Sequence, residues 1–280
     1  MISIDKIKKK AEREGVNVNF VFKEYLHFLV LEYLFEKGCF FNLIFQGGTA
    51  LRFVYKGVRY SEDLDFVLKK KDGHFLEGFF EGRLKQLPAY VNRFIPFIKN
   101  VQLKVQKDTL TFKRFNLILE LEGFKAKDKT NIEIVNIPSY ENQVVILERE
   151  DIAINPAIAV ETPHEILSDK FVALAARRYL KGRDIWDIYF ILKTLKVPLD
   201  KKIEKLVVKK IADYGMSLNE FITGFKNNLC LLKKEGYEIL KEEMDKFLPF
   251  AYRAVFKTKY KEIVSFVWTR STNLLKEIIK

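Results

Sequence analysis

The spacing of apolar residues changes twice along this chain. Over residues 20–36, Phe, Leu and Tyr recur at helical intervals, and Gly38 closes the segment. Residues 43–46 then read as a short strand, 49–55 as a helix and 66–68 as the end of a second strand. A helical region broken by several interruptions is predicted over 75–97. Three strand-like segments follow, at 101–105, 109–122 and 131–137, the last two joined as a hairpin through the turn at 123–129. After Asn155-Pro156 the character changes, and from Ile185 onward only helical periodicity remains. Thr162-Pro163-His164-Glu165 reads as a capping box that starts a helix running to about Leu180, with Gly182 as its stop and Asp184 as N-cap of the next helix. The pattern predicts an α+β chain: a mixed sheet with helices in residues 1–155, then an all-α half in 156–280.

The chemistry concentrates where the second strand begins. In Arg59-Tyr60-Ser61-Glu62-Asp63-Leu64-Asp65-Phe66-Val67-Leu68, strand alternation puts Asp63 and Asp65 on one face and Leu64, Phe66 and Leu68 on the other. Two adjacent carboxylates repel, and a divalent cation with a taste for hard oxygen, Mg²⁺ above all with Mn²⁺ as a substitute, relieves that repulsion. The bland alternative, a pair of solvated acids on an edge strand, fits poorly with neighbours as apolar as Leu64, Phe66 and Val67. Just upstream, Gly47-Gly48-Thr49 leaves a strand and opens a helix, an arrangement that aims backbone N–H groups at a phosphate, with the Thr49 hydroxyl as a further donor. A tight turn is the plainer reading of the glycines. Metal carboxylates beside a phosphate loop point to phosphoryl or nucleotidyl transfer.

A third carboxylate completes a two-metal site, in which ions roughly 4 Å apart clamp the attacking and leaving oxygens. Glu133, on the strand Asn131-Ile132-Glu133-Ile134, is the favoured candidate, with Glu120 and Glu122 as rivals. In the helical half, Lys170 stands among Ile166, Leu167, Ala173 and Leu174; it either snorkels to solvent or neutralises a triphosphate. Arg183 and Asp184 read equally well as a buried pair tying two helices together, and Asp187 follows one turn on, beside Trp186 and Ile188. His27, His74 and His164 have no triad-like partners, so no histidine catalysis is expected. Phe75, Phe79 and Phe80 read as core.

Composition narrows the class without choosing it. Hydrophobic residues make up 48% and charged residues 31% of the 280, sufficient for one large or two modest cores. The two cysteines and three histidines are too few and too scattered for a disulfide framework or a Cys/His zinc site. No apolar run is of membrane-spanning length, and the first ten residues lack a signal-peptide core, so the expected location is the cytoplasm with no membrane partner. A net charge of +12 favours a polyanionic partner such as a nucleic acid, against the alternative of a merely lysine-rich solvated surface.

Taken together, Gly47-Gly48-Thr49-Ala50-Leu51, Arg59, Ser61 and Asp63-Leu64-Asp65-Phe66 resemble the first motif of the AbiE-type toxin nucleotidyltransferases, relatives of the polymerase-β-like superfamily. Lys170, Arg178, Arg183-Asp184 and Asp187-Ile188 resemble that family's downstream helical motif. The resemblance spans residues from about 40 to 195 and implies a polymerase-β-like catalytic sheet followed by helices. It implies transfer of a nucleoside monophosphate from an NTP, with Mg²⁺, to an acceptor such as tRNA, and an antitoxin partner encoded nearby. By the same likeness Gly47, Gly48, Thr49, Arg59, Ser61 and Lys170 meet the nucleotide, Asp63 and Asp65 hold metal, and Lys170 and Asp187 belong to the active site, while Glu133 as the third metal carboxylate rests on the strand pattern alone. Transfer to a protein side chain or small molecule is the rival enzymatic reading. A non-catalytic RNA-binding relative is the non-enzymatic one.

Overall fold

The protein is described here by a computed structural model covering residues 3–122, 127–148 and 155–280. It divides into two compact units. One comprises residues up to Lys56 together with Tyr60–Val160; the other comprises Gly57–Arg59 together with Glu161–Lys280.

The first unit is built on a seven-stranded sheet of order β3-β4-β5-β2-β1-β7-β6. The strands are β1 (Leu43–Gln46), β2 (Asp63–Leu68), β3 (Ile98–Asp108), β4 (Phe112–Leu121), β5 (Asp128–Pro138), β6 (Asn142–Ile146) and β7 (Ala157–Glu161). The sheet is mixed: β2 runs antiparallel to β1 and parallel to β5, while β1 and β7 are parallel. Its helices are α1 (Ile4–Glu14), α2 (Val18–Glu36), α3 (Gly47–Phe53), α4 (Gly73–Leu76) and α5 (Leu87–Phe94). The helix α2 is apolar nearly all round, which suits a buried helix rather than a surface one. On one face of the sheet Phe45 meets Phe66 at 5.4 Å between ring centroids, and Phe79 and Phe80 both stack on Phe115; Phe79 is buried core as expected, whereas Phe80 and Phe75 are only half-buried. The opposite face carries a small apolar cluster of Ile44, Val67, Ile137 and Ala159 at one end.

The second unit is helical: α6 (Pro163–Ala176), α7 (Gly182–Tyr189) running into a wide turn at Phe190–Thr194, α8 (Lys201–Asp213), α9 (Leu218–Phe247), α10 (Phe250–Phe256) and α11 (Tyr260–Ile279). The long α9 is its spine, packed by α6, α7 and α11. Thr162 caps α6 with Pro163 at its first position, as its sequence suggests. Two boundaries differ from expectation. The helix α6 ends at Ala176, short of Leu180, and Gly182 opens α7 instead of stopping α6. The reason is packing: a Cβ on Gly182 would lie 2.6 Å from the Ile239 carbonyl oxygen, so the glycine lets α7 start directly against α9. The N-cap of α7 is therefore Lys181, and Asp184 sits inside its first turn. The strand-like run 109–122 is broken too, because Thr109 turns the chain between β3 and β4 with its hydroxyl bonded to both the amide and the carbonyl of Phe112. Part of the turn expected at 123–129 lies outside the described residues, yet β4 and β5 pair antiparallel as that hairpin requires.

Candidate active site

The polar end of the sheet's second face is assembled from strand register. Alternation along β2 leaves Asp63 and Asp65 half-buried while Leu64 and Phe66 are fully buried, and β5 repeats the pattern with Asn131 and Glu133 against Ile132 and Ile134. Pairing then aligns rows across strands. Gln46, Asp65, Glu133 and Arg114 form one row, and Asp63, Asn131 and Asn116 form the next. The neutral amide Nδ2 of Asn131 donates to Asp63 Oδ1 at 2.7 Å, and Arg114 Nη2 lies 2.9 Å from Glu133 Oε1.

Register also separates Glu133 from its rivals. Glu133 is the direct neighbour of Asp65, whereas Glu120 lies six residues along β4 from Arg114, roughly 20 Å at strand rise, and pairs with Lys127. Glu122 lies beyond the end of β4.

The glycine turn is shaped by the aspartates it abuts. Gly47 has φ +77°, and a Cβ there would stand 2.7 Å from Asp65 Oδ2, so only glycine permits this approach without displacing the carboxylate. Thr49 is buried and its hydroxyl donates to the Asp63 carbonyl oxygen, locking α3 to β2. The hydroxyl proton expected for a phosphate is thus spent on the backbone that carries Asp63. A second clamp lies just upstream of it. His27 Nε2 is 3.1 Å from the Glu62 carbonyl oxygen and 2.6 Å from Thr130 Oγ1, and Thr130 donates to the same carbonyl at 2.8 Å. Burial pushes the His27 imidazole down to about 4, against the opposing charge of Asp63, so the ring is neutral and structural at pH 7. Ser61 lies half-buried just ahead of β2.

In the helical unit, the remaining sequence candidates form a buried charge network. Arg59 grips Asp187 with both arms, Nε to Oδ1 and Nη2 to Oδ2, each at 2.6 Å. Lys170 Nζ lies 2.7 Å from Asp187 Oδ2 and 3.1 Å from Asp184 Oδ1, and Arg177 Nε lies 2.7 Å from Asp184 Oδ2. Burial alone would raise the Asp187 pKa, but Arg59 and Lys170 overcome it and bring the carboxyl down to about 2. The two aspartates likewise hold Lys170 above the usual lysine value despite its burial. Lys170 therefore does not snorkel. The expected Arg183–Asp184 pair is not formed: Arg183 turns to Glu243, with Nε at 3.3 Å, while Asp184 turns inward to Lys170 and Arg177. Successive helical residues point about 100° apart, which sends these two neighbours to different partners.

Among the described residues, the acids whose oxygens converge most tightly are elsewhere: Glu161, Glu165 and Asp169. Lys210, itself fully buried, sits among them at 3.1, 2.7 and 3.1 Å, where a bound cation would be. Burial and the Asp169 charge raise the Glu161 pKa well above normal. This cluster joins the end of β7, α6 and α8 through an internal ammonium, and it leaves no place for a metal ion.

Sequence reasoning missed Arg114, Asn131 and Gln46 around the aspartates, and Arg177 beside Asp184. Asn131 was legible in part, since it shares the face of Glu133 by alternation; the others needed the strand order or the helix packing.

The fold matches that of proteins already solved. The structure of a candidate nucleotidyltransferase from H. pylori superimposes with a TM-score of 0.53 at 18% identity, covering 91% of this chain and 94% of the other. That of JHP933 from Helicobacter pylori does so with a TM-score of 0.53 at 17% identity, covering 94% of each. The fold is that of these nucleotidyltransferase-type proteins. The profile of the family described as "Nucleotidyl transferase AbiEii toxin, Type IV TA system" matches residues 30–265, and the chain belongs to that family. No curated protein matches it. Among the described residues, no helix is long and apolar enough to cross a membrane.

Proposed function

We propose that this nucleotidyltransferase uses Asp63, Asp65 and Glu133 to hold Mg²⁺, with Mn²⁺ as a substitute, and transfers a nucleoside monophosphate from an NTP to a nucleic-acid acceptor such as tRNA, releasing pyrophosphate. As a member of a toxin family it acts in the cytoplasm and is restrained by an antitoxin.

The observation that carries the reading is the donor set. Asp63, Asp65, Asn131 and Glu133 offer hard oxygens on one half-buried face, and Asn131 Oδ1 is buried there with no hydrogen-bond partner among the described residues. Oxygen-only donors suit Mg²⁺. Glu133 rests against Arg114, so its recruitment exchanges that ion pair for the metal. When bound, Mg²⁺ neutralises charge developing on the reacting phosphate and favours loss of the acceptor hydroxyl's proton.

The chain's own part is positioning. Gly47 lets the turn before α3 close on Asp65, and the backbone at Gly48 and Thr49 is assigned to the nucleotide phosphates. Ser61, Arg59 and Lys170 are assigned to the nucleotide as well, with Asp184 and Asp187 holding the two cations in fixed positions. Such fixed charges need no reorganisation when the acceptor oxygen attacks the α-phosphate in line.

The test is incubation with each α-labelled NTP, Mg²⁺ and total tRNA, followed by a denaturing gel. Label in the tRNA band, absent with Asp63→Ala, is the expected result. Label in polypeptide bands would move the acceptor to protein, and no label with any NTP would overturn the reading.

A further inference from the structure

The net positive charge is unevenly placed. Residues 161–280 hold 24 Lys/Arg against 16 Asp/Glu, and the segment 246–261 holds five Lys/Arg and no acid. That segment contains α10, a helix with no buried residue. Phe250, Val255 and Tyr252 on it are 66%, 53% and 42% exposed, so large apolar groups stand in solvent where a single turn of packing would have hidden them.

Cations accompany the rings. Arg253 lies 5.9 Å from the Phe250 ring, Lys259 lies 6.0 Å from Phe256, and Lys193 and Arg270 flank Phe266 at 5.9 and 5.3 Å. The aromatic contacts are continuous: Phe256 meets Trp186 at 4.9 Å, Trp186 meets Tyr189 at 6.2 Å, and Tyr189 meets Phe266 at 5.8 Å. Beside Phe266 a shallow depression is lined by Lys261 and Arg270, with Glu262 its one acid.

Resting on the nucleotidyl-transfer reading above, we propose that this face of α10, α11 and the turn after α7 docks the acceptor RNA through an unpaired stretch of its strand. A ring offers its plane to a base and the adjacent cation meets the phosphate, the combination by which single strands are held without regard to sequence. A membrane surface would need the apolar groups on one side of the helix, yet at about 100° per residue Tyr252 and Val255 share one side while Phe250 points roughly 140° or more away from both.

The experiment is fluorescence anisotropy of labelled total tRNA and of a short oligouridine, without NTP, over a salt series. Three variants are compared with the unaltered chain: Lys261→Glu with Arg270→Glu, Phe250→Ser with Tyr252→Ser, and Asp63→Ala. The first two, each on exposed side chains and checked for native circular dichroism, are expected to weaken binding at least about tenfold. The charge reversals should also flatten the dependence on log salt, by roughly 0.7 for each phosphate no longer neutralised. Asp63→Ala should bind as the unaltered chain does. No RNA binding by the unaltered chain, or unchanged binding by both surface pairs, would overturn the proposal. So would anionic vesicles being bound through these side chains while RNA binding is unaffected. The two readings fail separately: if the surface pairs lose RNA but label never reaches RNA, the docking face stands and the transfer reading falls. If label still reaches tRNA at full rate in the surface pairs, the docking face falls.

Discussion

Two groups of acids in this molecule have opposite surroundings. Asp184, Asp187, Glu161, Glu165 and Asp169 in the helical unit are buried with cations built into the fold beside them: Arg59, Lys170, Arg177 and Lys210. On the sheet, Asp63 is half-buried and met by the neutral amide of Asn131, Asp65 faces a turn narrowed to glycine, and Glu133 rests on Arg114, a cation left partly in solvent and not buried like those of the helical unit. The tightest acidic cluster is thus the least suited to a metal, because a lysine already supplies the charge. Convergence of carboxylates alone does not mark a metal site; what neutralises them decides.

The comparison breaks first at the aspartates. Asp63→Ala or Asp65→Ala should reduce nucleotidyl transfer by at least about 10³-fold while the unfolding midpoint moves little. Transfer near the unaltered rate at excess Mg²⁺ would remove both from the site. Lys210→Met should do the reverse. It leaves three buried carboxyls without their cation and should cost about 3–5 kcal/mol in urea unfolding. A cost below about 1 kcal/mol would show that the cluster is not held by the lysine.

Acidification sharpens the contrast within the sheet unit. The His27 pKa falls from 6.5 to about 4 on folding, so between these values the unfolded chain takes up a proton that the native ring refuses. Stability should therefore be intact above pH 6.5 and fall by about 3 kcal/mol as the pH drops to 4. His27→Gln should remove that slope, and an unchanged slope would put its cause elsewhere. The smallest effect is expected from Gly47→Ala, which strains φ +77° and pushes on Asp65. A loss of roughly 10²-fold in transfer, with only a modest loss of stability, is expected from displacing the carboxylate. Full activity would mean that the position of Asp65 does not matter.

Much of this was legible in the residues. Period-two alternation put Asp63 with Asp65, and unbroken helical spacing from Ile185 onward announced the helical half. What stayed hidden was non-local. Choosing Glu133 over Glu120 required knowing that β5 lies beside β2, and Arg59 finds Asp187 across 128 residues of sequence. The strand β7, Ala-Ile-Ala-Val-Glu, is a short apolar run that periodicity cannot tell from the helix after it. The lysine-rich α1 hides its few buried positions, Ile7 and Ala11, among charges.

Manganese binding followed by electron paramagnetic resonance tests the central contrast without relying on turnover. The unaltered protein with a non-hydrolysable NTP analogue should bind Mn²⁺. Asp63→Asn with Asp65→Asn should abolish that binding, and Asp169→Asn should leave it unchanged. Binding that survives the sheet pair and is lost with Asp169→Asn would place the metal at the buried cluster and contradict the account.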